Sequence, residues 1–332
     1  MDVVRVGSPA SLETLSLTTG EEREPGVGEV RVELHASSLN FHDYLIVVGA
    51  LPTEPGRIPM SDGAGVVTRL GEGVTDLAVG DHVVSTFYPD WPAGRPTSQT
   101  LATLPGDRTD GFARTSAVLP ATAFTKAPQG WTHEEAATLP CAALTAWRAL
   151  FVEATVQPGD IVLVEGTSGV SIFALQLAKA AGAVVVATTS SEEKVRRLLG
   201  LGADHVVNYR SEPAWGKAVR RWTGGRGVDH VVEIGGDFEQ AAAACGQGGH
   251  IALVAMLDGS TRPFPFVPII GKNLRISGLS VGSREHQLDM IRALDAHGHR
   301  PIIDRTFGLE EIADAFRYQE TRRHVGKIGL SW

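Results

Sequence analysis

The stretch that decides the fold is Asp160–Lys179, which reads DIVLVEGTSGVSIFALQLAK. Its first part, Ile161–Glu165, is a short apolar run rich in β-branched residues, as is typical of a buried parallel strand. The turn Gly166–Ser171 consists of small residues, and a helical pattern then runs without a breaker to Gly182. A strand, a glycine turn and a helix in this order predict the first unit of a dinucleotide-binding fold, because backbone N–H groups and the helix N-terminus then face a pyrophosphate.

The glycine turn is a variant of the usual pattern. Ser168 and Ser171 occupy the second and third glycine positions, and both are small enough to let a ligand approach the backbone. Taken alone, such a turn is weak evidence, and a purely structural strand-to-helix turn explains it equally well.

The residues that follow strengthen the prediction. Apolar runs that read as strands alternate with helical patterns for about 150 residues, and Ser190–Lys194 opens the next helix with capping residues. This alternation predicts a doubly wound parallel sheet. The further predicted strands are Ala183–Thr189, His205–Tyr209, Val228–Ile234, Gly249–Met256 and Leu274–Ser280.

The N-terminal third has a different pattern. Val27–Leu34 alternates apolar and charged residues, which indicates an antiparallel strand with one solvated face. With the short strands Gly63–Leu70 and His82–Phe87, it predicts an irregular, barrel-like β-module. We expect Pro89–Gly111 to be a long surface loop, and Thr132–Leu150 to be helical with a capping box formed by Thr132 and Glu135.

The C-terminal part is predicted to return to the N-terminal module. A helix at Glu285–His297, a strand at Pro301–Phe307 and a helix at Leu309–Thr321 precede a final strand at Gly326–Leu330. The predicted domains are therefore residues 1–126, completed by 285–332, and a dinucleotide-binding domain at 127–284.

Composition excludes several classes of function. The net charge of −8 over 332 residues provides no basic surface for nucleic acid or an anionic membrane. No apolar stretch approaches the roughly 20 residues that span a bilayer. Two cysteines, Cys141 and Cys245, without a secretory leader, predict a reducing, cytoplasmic setting.

Motifs along nearly the whole chain resemble those of the medium-chain dehydrogenases/reductases, in the zinc-lacking branch that is similar to quinone and enone reductases. The resemblance implies a GroES-like β-module and a Rossmann domain, with the active site and cofactor in the cleft between them. It rests on the central turn and on Ser37–Tyr44, Asp62–Val67, Val79–Asp81, Ala136–Cys141, Thr145, Asn208–Tyr209, Gly224–Asp229 and Gly326–Lys327.

The same resemblance implies that the protein uses no zinc. Zinc-using relatives have a cysteine near Asn40, a histidine near Ser61 and a cysteine at Cys141, and here only the last is retained. One thiol, even with Asp62 and His42 nearby, is too few ligands for a catalytic zinc ion. The loop Pro89–Gly111 contains no cysteine, so we expect no structural zinc there either, and we interpret Cys141 as a small buried residue beneath the nicotinamide.

The cofactor is predicted to be NADPH, with NADH the less favoured alternative. An NAD site commonly has an acidic residue at the end of the second strand, but here that position is Thr189, followed by Ser190 and Lys194, which suit a 2′-phosphate. Glu192 and Glu193 argue for NAD, although the first turn of a helix also favours acidic residues. By resemblance, the cofactor-binding residues are Thr145, Gly166, Ser168, Gly169, Val170, Thr189, Ser190, Lys194, Tyr209, Ile234, Gly235, Met256, Leu279, Ser280 and Lys327.

Three residues are candidates for the chemistry. The amide of Asn40 can donate to a carbonyl oxygen, while His42 or Tyr44 can supply a proton. Simpler interpretations remain open: Asn40 holding the nicotinamide ribose, Tyr44 as core, protons from solvent, and Lys327, expected against the pyrophosphate, as a solvated lysine. We expect Asp43 to be structural, paired with a basic residue, and Asp62 to orient one of the candidate groups.

Three functions are compatible with these features. The favoured one is NADPH-dependent reduction of a conjugated carbonyl (an enone) or a quinone. The alternatives are a zinc-free alcohol or carbonyl dehydrogenase and a non-catalytic NADPH-binding protein. The substrate is not specified, because its pocket would be lined by the loops at residues 45–60, 87–112 and 256–268. The resemblance also implies a homodimer that pairs through the sheet edge near Leu274–Leu279.

Overall fold

A computed structural model describes residues 1–255 and 263–332. The chain forms two compact units: unit 1 contains Met1–Leu144 and Gly282–Trp332, and unit 2 contains Thr145–Val281. The first elements of unit 1 are β1 (Asp2–Arg5), β2 (Ser16–Thr19), β3 (Glu29–Ser38), α1 (Phe41–Val47), β4 (Ala64–Leu70), β5 (His82–Ser85), β6 (Ser116–Pro120), β7 (Phe124–Lys126) and α2 (His133–Ala136).

A short helix, α3 (Leu144–Trp147), lies between two π-helical segments, Leu139–Ala143 and Arg148–Glu153. The elements of unit 2 are β8 (Ile161–Glu165), α4 (Gly169–Ala180), β9 (Val184–Thr189), α5 (Glu192–Gly200), β10 (His205–Asn208), α6 (Trp215–Trp222), β11 (Val228–Glu233), α7 (Phe238–Ala244), β12 (Cys245–Leu253), α8 (Phe266–Gly271) and β13 (Arg275–Gly278). The chain then completes unit 1 with α9 (Arg284–His297), β14 (Ile303–Gly308), α10 (Ile312–Glu320) and β15 (Lys327–Ser331).

Unit 2 is built on a parallel sheet with the strand order β10-β9-β8-β11-β12-β13. The central strand β8 is the predicted Ile161–Glu165, and all five of its residues are buried. This order reverses between β8 and β11, which is the point at which doubly wound sheets bind their ligands. The prediction of a Rossmann domain is therefore confirmed.

Unit 1 is built on a largely antiparallel sheet with the order β14-β15-β3-β4-β5-β7, while β6 also pairs with β3. Val30, Val32 and Leu34 alternate inward along β3 and form a core with residues such as Phe124. The last strand, β15, pairs with β3 in the register Leu330↔Ser37. The predicted GroES-like module and the return of the chain to it are both confirmed.

The predicted helix Thr132–Leu150 is interrupted. Its capping box forms, since the N–H of Thr132 donates to Glu135 Oε2 at 2.9 Å and the N–H of Glu135 donates to Thr132 Oγ1 at 3.2 Å. The α-helix then ends at Ala136, and the π-helical segment that follows has Pro140 in its first turn. Proline has no N–H to donate, so the α-helical ladder cannot run through this position.

Two further features differ from the predictions. The division between the units falls after Leu144 rather than after residue 126, because α2 packs on strands of unit 1. The segment Pro89–Gly111 is not a simple surface loop, since Trp91 and Leu104 are buried. In the described ranges, no helix is long and apolar enough to cross a membrane.

A pair of buried histidines crosses the sheet of unit 2. His230 on β11 lies opposite His250 on β12, and the two rings meet edge to face at 6.1 Å between centroids. His230 Nε2 lies 3.1 Å from Asp160 Oδ2, and His250 Nε2 lies 3.1 Å from Ser277 Oγ. Burial, with the nearby charges of Arg275 and His230, lowers the pKa of His250 to about 4.

We predict that His250 makes unit 2 less stable in acid. An unfolded chain takes up a proton on this histidine below about pH 6.5, whereas the folded protein resists protonation until about pH 4, so stability falls as the pH drops through this window. Urea unfolding at pH 7.5 and 4.5 should show a loss about 1–3 kcal/mol smaller in His250→Gln than in the wild type. An identical pH dependence in the two proteins would contradict this assignment.

Candidate active site

The N-terminus of α1 carries two polar residues whose side chains are buried inside unit 1. Asn40 precedes the helix, and its backbone N–H donates to Asp43 Oδ2 at 3.0 Å, which stabilises the first turn. The other oxygen of Asp43 accepts from the Ser61 N–H at 2.8 Å. Asp43 is only 1% exposed, so α1 begins with a buried carboxyl group that fixes the segment containing Ser61.

The side-chain amide of Asn40 is fully engaged within unit 1. Its Nδ2 donates to Asp62 Oδ2 at 2.8 Å and to Ser61 Oγ at 3.2 Å. Its Oδ1 accepts a 2.5 Å hydrogen bond from the Lys327 ammonium. Because both amide hydrogens already have acceptors, Asn40 has no spare donor for a carbonyl oxygen in this arrangement. Its predicted role as an oxyanion donor is not supported by these contacts.

Lys327 lies at the start of β15 and is 3% exposed, so the alternative of a solvated lysine is wrong. Its Nζ donates to the Leu39 carbonyl at 2.7 Å and lies 3.5 Å from Asp62 Oδ2. The preceding Gly326 has φ +89°, and a Cβ there would stand 2.2 Å from the Ile302 carbonyl oxygen. Only glycine fits at this position, and it aims the lysine inward. Whether Lys327 also contacts a cofactor remains a prediction.

Asp62 is the second buried carboxyl group of this network. Its Oδ2 accepts from Ser38 Oγ at 2.8 Å and from Asn40, while Oδ1 has no hydrogen-bond partner among the described residues. Burial raises the pKa of Asp62 to about 6, against the opposing effect of Lys327. Burial also raises the pKa of Asp43, although His42 and Lys327 oppose that shift. Two buried carboxyl groups thus share one ammonium group. We name the set Asn40, Asp43, Ser61, Asp62 and Lys327 the lysine–aspartate network.

The donors of this region do not fit a zinc ion. Desolvation and the Asp62 carboxylate raise the pKa of the Cys141 thiol well above its ordinary value, which opposes the thiolate that zinc requires. The other two positions hold the Asn40 amide and the Ser61 hydroxyl, and the Lys327 ammonium would repel a second cation. Across residues 1–255 and 263–332, no group of three or more His, Cys, Asp or Glu side chains could hold a metal ion.

The two candidate proton donors lie in different surroundings. His42, the second residue of α1, has its Nε2 3.2 Å from Asp107 Oδ2 and its ring edge-on to Phe87 at 6.4 Å. Tyr44 donates its hydroxyl to Glu320 on α10 at 2.8 Å, and that carboxylate raises the pKa of the phenol. The Tyr44 hydroxyl is thus engaged with α10 and is a poorer acid than an ordinary tyrosine. The catalytic roles of both residues remain predictions.

The glycine turn of unit 2 has the geometry of a dinucleotide-binding turn. Gly166 has φ +69°, and a Cβ there would lie 3.1 Å from Ile234 Cδ1. Ser168 caps α4, with its Oγ 2.9 Å from Ser171 Oγ, and Ser171 in turn donates to the Glu165 carbonyl at 2.5 Å. The two serines therefore stabilise the turn in place of the expected glycines. The turn leaves the N-terminus of a twelve-residue helix available for an anion.

The residues predicted to select the cofactor adjoin this turn. The Lys194 ammonium donates to Thr167 Oγ1 at 3.0 Å, so a cation lies directly beside the glycine turn. Thr189 is buried at the end of β9, and Tyr209 is exposed just beyond β10. No acidic residue ends β9, and the choice between NADPH and NADH remains a prediction.

The remaining predicted cofactor residues all belong to unit 2 except Lys327. Thr145 is buried in α3, while Ile234 and Gly235 follow β11, where Gly235 has φ +108°. Leu279 and Ser280 follow β13. Gly169 and Val170 open α4, and Ser190 precedes α5. Met256 lies outside the described residues. The cofactor contacts of this set remain predictions.

Sequence reasoning missed two ionic contacts of the candidate site, Lys327 with Asp62 and His42 with Asp107. Lys327 and Asp62 lie far apart in the chain, and only the pairing of β15 with β3 brings the lysine to α1. Asp107 belonged to a segment that we expected to be a surface loop. The sequence does contain the pair of glycines Gly106 and Gly111 in this segment, but no pattern linked them to His42.

Two family models match the two parts of this chain. Residues 26–129 match the alcohol dehydrogenase GroES-like domain, and residues 169–296 match the zinc-binding dehydrogenase domain. A zinc-type alcohol dehydrogenase-like protein of Schizosaccharomyces pombe is 40% identical over 313 residues, covering 91% of this chain and 90% of that protein. The chain belongs to the medium-chain dehydrogenase/reductase superfamily. Members of this superfamily are NAD(P)-dependent oxidoreductases, and the chain is an enzyme of this kind.

Solved structures of other superfamily members have the same fold. An NAD-dependent alcohol dehydrogenase is 35% identical, with a TM-score of 0.91 and full coverage of both chains. A mycobacterial protein in complex with NADPH is 26% identical, with a TM-score of 0.83 and again full coverage of both chains. The superfamily therefore includes similar proteins with either cofactor, and the choice in this oxidoreductase depends on its own residues.

Proposed function

We propose that this medium-chain reductase uses NADPH to reduce a conjugated carbonyl compound or a quinone without zinc. The observation that carries the proposal is the hydrogen bond from Lys327 Nζ to Asn40 Oδ1. Zinc-using relatives have a metal ligand near Asn40, whereas here an ammonium and an amide fill the interior. Without a Lewis acid, the pKa of a simple alcohol is not easily lowered, so alcohol oxidation is disfavoured.

Reduction of a conjugated carbonyl compound does not require the protein to lower the pKa of an alcohol. NADPH supplies a hydride to a carbon of the substrate, and the negative charge that develops spreads to an oxygen. A nearby proton donor then completes the reaction. Of the three residues that sequence singled out, Asn40 and Tyr44 already donate to Asp62, Ser61 and Glu320. His42 is therefore the favoured donor, with solvent as the alternative.

The lysine–aspartate network supports this role by holding α1. Asp43 is adjacent to His42 in the chain and fixes the first turn of α1 through Asn40 and Ser61. A proton donor must keep its geometry within fractions of an ångström, and a buried, hydrogen-bonded helix start provides that rigidity. In this proposal the network positions His42, and unit 2 binds the cofactor.

We predict reduction of enones or quinones and negligible oxidation of simple alcohols. After treatment with a chelator, one preparation should oxidise NADPH in the presence of a panel of enones or quinones. The same preparation should not reduce NADP⁺ with ethanol-type substrates. Elemental analysis should find less than stoichiometric zinc. Metal-free alcohol oxidation without enone or quinone turnover would support the dehydrogenase alternative. Cofactor binding without turnover in either direction would support a non-catalytic protein.

The preference for NADPH is proposed from the ammonium of Lys194 beside the glycine turn. Lys194→Ala should weaken NADPH binding by about 1–3 kcal/mol and leave NADH binding nearly unchanged, because a charge-assisted contact to the 2′-phosphate is lost. Lys179→Ala is the matched control, since that ammonium binds Asp204 at 2.8 Å. Calorimetric titration measures the affinity of the wild type and of both variants for each of the two cofactors. Equal affinities of the wild type for NADPH and NADH would overturn the preference.

We further propose that the partners are a small-molecule substrate and a second copy of the chain, with no nucleic acid or membrane. β13 forms the edge of the unit 2 sheet, and the neighbouring α8 exposes Phe266, Val267 and Ile270. An unpaired strand edge beside an apolar surface suits a twofold-symmetric dimer. Sedimentation velocity should give a dimer for the wild type and a monomer for Val267→Asp/Ile270→Asp. A monomeric wild type would refute the dimer.

A further inference from the structure

A compact turn of unit 1 places the Asp107 carboxylate next to His42. In the turn at residues 104–109, the Gly106 N–H donates to the Thr109 carbonyl at 2.9 Å, and the N–H groups of Arg108 and Thr109 donate to the Leu104 carbonyl at 3.0 and 3.2 Å. Leu104 is buried, whereas Asp107 is partly exposed at the tip. The backbone bonds hold the tip in one conformation, so the Asp107 carboxylate is presented on a rigid support.

This turn is fastened to the segment that carries Ser61 and Asp62. The N–H of Phe112 donates to the Met60 carbonyl at 2.8 Å, and the N–H of Gly111 donates to the Ile58 carbonyl at 2.7 Å. A Cβ on Gly106 or Gly111 would approach the Met60 backbone to 2.8 or 2.2 Å, so both positions require glycine. Asp107 is thus anchored to the same backbone segment as the lysine–aspartate network.

The Met60 backbone has an unusual conformation at this junction. Met60 is a fully buried non-glycine residue with φ +79°, in the left-handed region that costs an L-residue roughly 1–3 kcal/mol. Such conformations persist where the surroundings enforce them, and they concentrate at functional sites. Met60 connects the turn that carries Asp107 with the neighbouring residues Ser61 and Asp62. The turn and the Ser61–Asp62 segment are therefore held in one relative position.

Asp107 and His42 form a half-buried pair. The Asp107 Oδ2 and His42 Nε2 atoms are 3.2 Å apart without forming a hydrogen bond, and the two side chains are 20% and 27% exposed. Hydrogen bonds of catalytic groups are often poorly aligned before substrate binds. Asp43 on the same helix also interacts electrostatically with His42, and Lys327 in turn interacts with both Asp43 and Asp62. Asp107 is thus the carboxylate that directly contacts the imidazole ring.

We propose that Asp107 is a positioning residue that holds the His42 ring through Nε2 and stabilises its protonated form. The other ring nitrogen, Nδ1, is then the proton donor to the reduced substrate. The inference rests on the proposed function. Hydride from NADPH forms a C–H bond and leaves an enolate and NADP⁺. The enolate takes the Nδ1 proton to give the saturated carbonyl compound, and neutral His42 regains a proton from water, so the reaction consumes NADPH, H⁺ and substrate.

The alternative is an ion pair that merely fastens the turn, and a pair of variants separates the two roles. Asp107→Asn keeps the size of the side chain and removes its charge. Asp110→Asn is the matched control: Asp110 lies in the same segment and pairs with Arg57 at 3.3 Å, so the loss of its charge loosens the turn without changing the carboxylate at His42. Asp107→Glu tests rescue by charge.

We predict that Asp107→Asn lowers kcat with an enone or quinone roughly 10- to 100-fold at neutral pH, with KM within about threefold of the wild type. The pH at which kcat falls to half on its basic side should move down, because the imidazolium loses its anionic partner. Asp107→Glu should recover most of the activity, and adding Asp107→Asn to His42→Gln should cost nothing further. Asp110→Asn should lower the thermal midpoint but keep the pH profile.

A pH profile of Asp107→Asn that superimposes on the wild type, or an equal displacement in Asp110→Asn, would overturn the inference. An NMR titration of the His42 ring provides a readout without turnover. Its pH midpoint should be lower in Asp107→Asn than in the wild type, and unchanged midpoints would refute the pairing. Absence of carbonyl or quinone reduction with a shifted NMR midpoint would refute the proposed function while retaining the ionic pair.

Discussion

The structure of unit 1 depends on one buried cation. The Lys327 ammonium lies among the Leu39 carbonyl, the Asn40 amide and the Asp62 carboxylate, with Asp43 one layer further. Burying an ammonium costs several kcal/mol unless it is paired and hydrogen-bonded, and the same is true of the carboxylates. Each member is therefore needed by the others. The set fixes the end of β3, the start of α1, the Ser61 segment and β15 at one point.

In our proposal, which assigns no zinc to this site, the network takes the place of a metal centre. A metal ion joins its ligands through coordination bonds, whereas in this network an ion pair and an amide connect the backbone segments. The amide of Asn40 links the members of the network, because it accepts from Lys327 and donates to Asp62 and Ser61. In our proposal the network has a positioning role. Proton transfer then falls to His42, which lies at the edge of the network.

The sequence predicted those parts that depend on local patterns. The apolar run Ile161–Glu165 and the turn after it determine β8 and α4 with nearly the observed bounds, since strand periodicity and glycine turns are encoded locally. The sequence predicts one continuous helix from Thr132, because the N-terminal cap is a local signal. It does not indicate the interruption near Pro140, because a π-helix is uncommon and has no simple local pattern. The pairing of Lys327 with Asp62 depends on strand register, which the sequence does not specify without the fold. The packing of Gly106 against the Met60 backbone also depends on the fold, because the two residues lie far apart in the sequence.

The central claim, that a lysine–aspartate pair holds the interior of unit 1 together, is tested most directly by a double-mutant cycle. Urea unfolding of Lys327→Met, Asp62→Asn and the double variant gives the coupling free energy between the two side chains. Each single change should destabilise the protein by about 3–5 kcal/mol, because it leaves an unpaired buried group, and the double change should cost at least about 1.5 kcal/mol less than the sum. Additivity within about 0.5 kcal/mol would contradict the account, since the two residues would then be stabilising unit 1 independently.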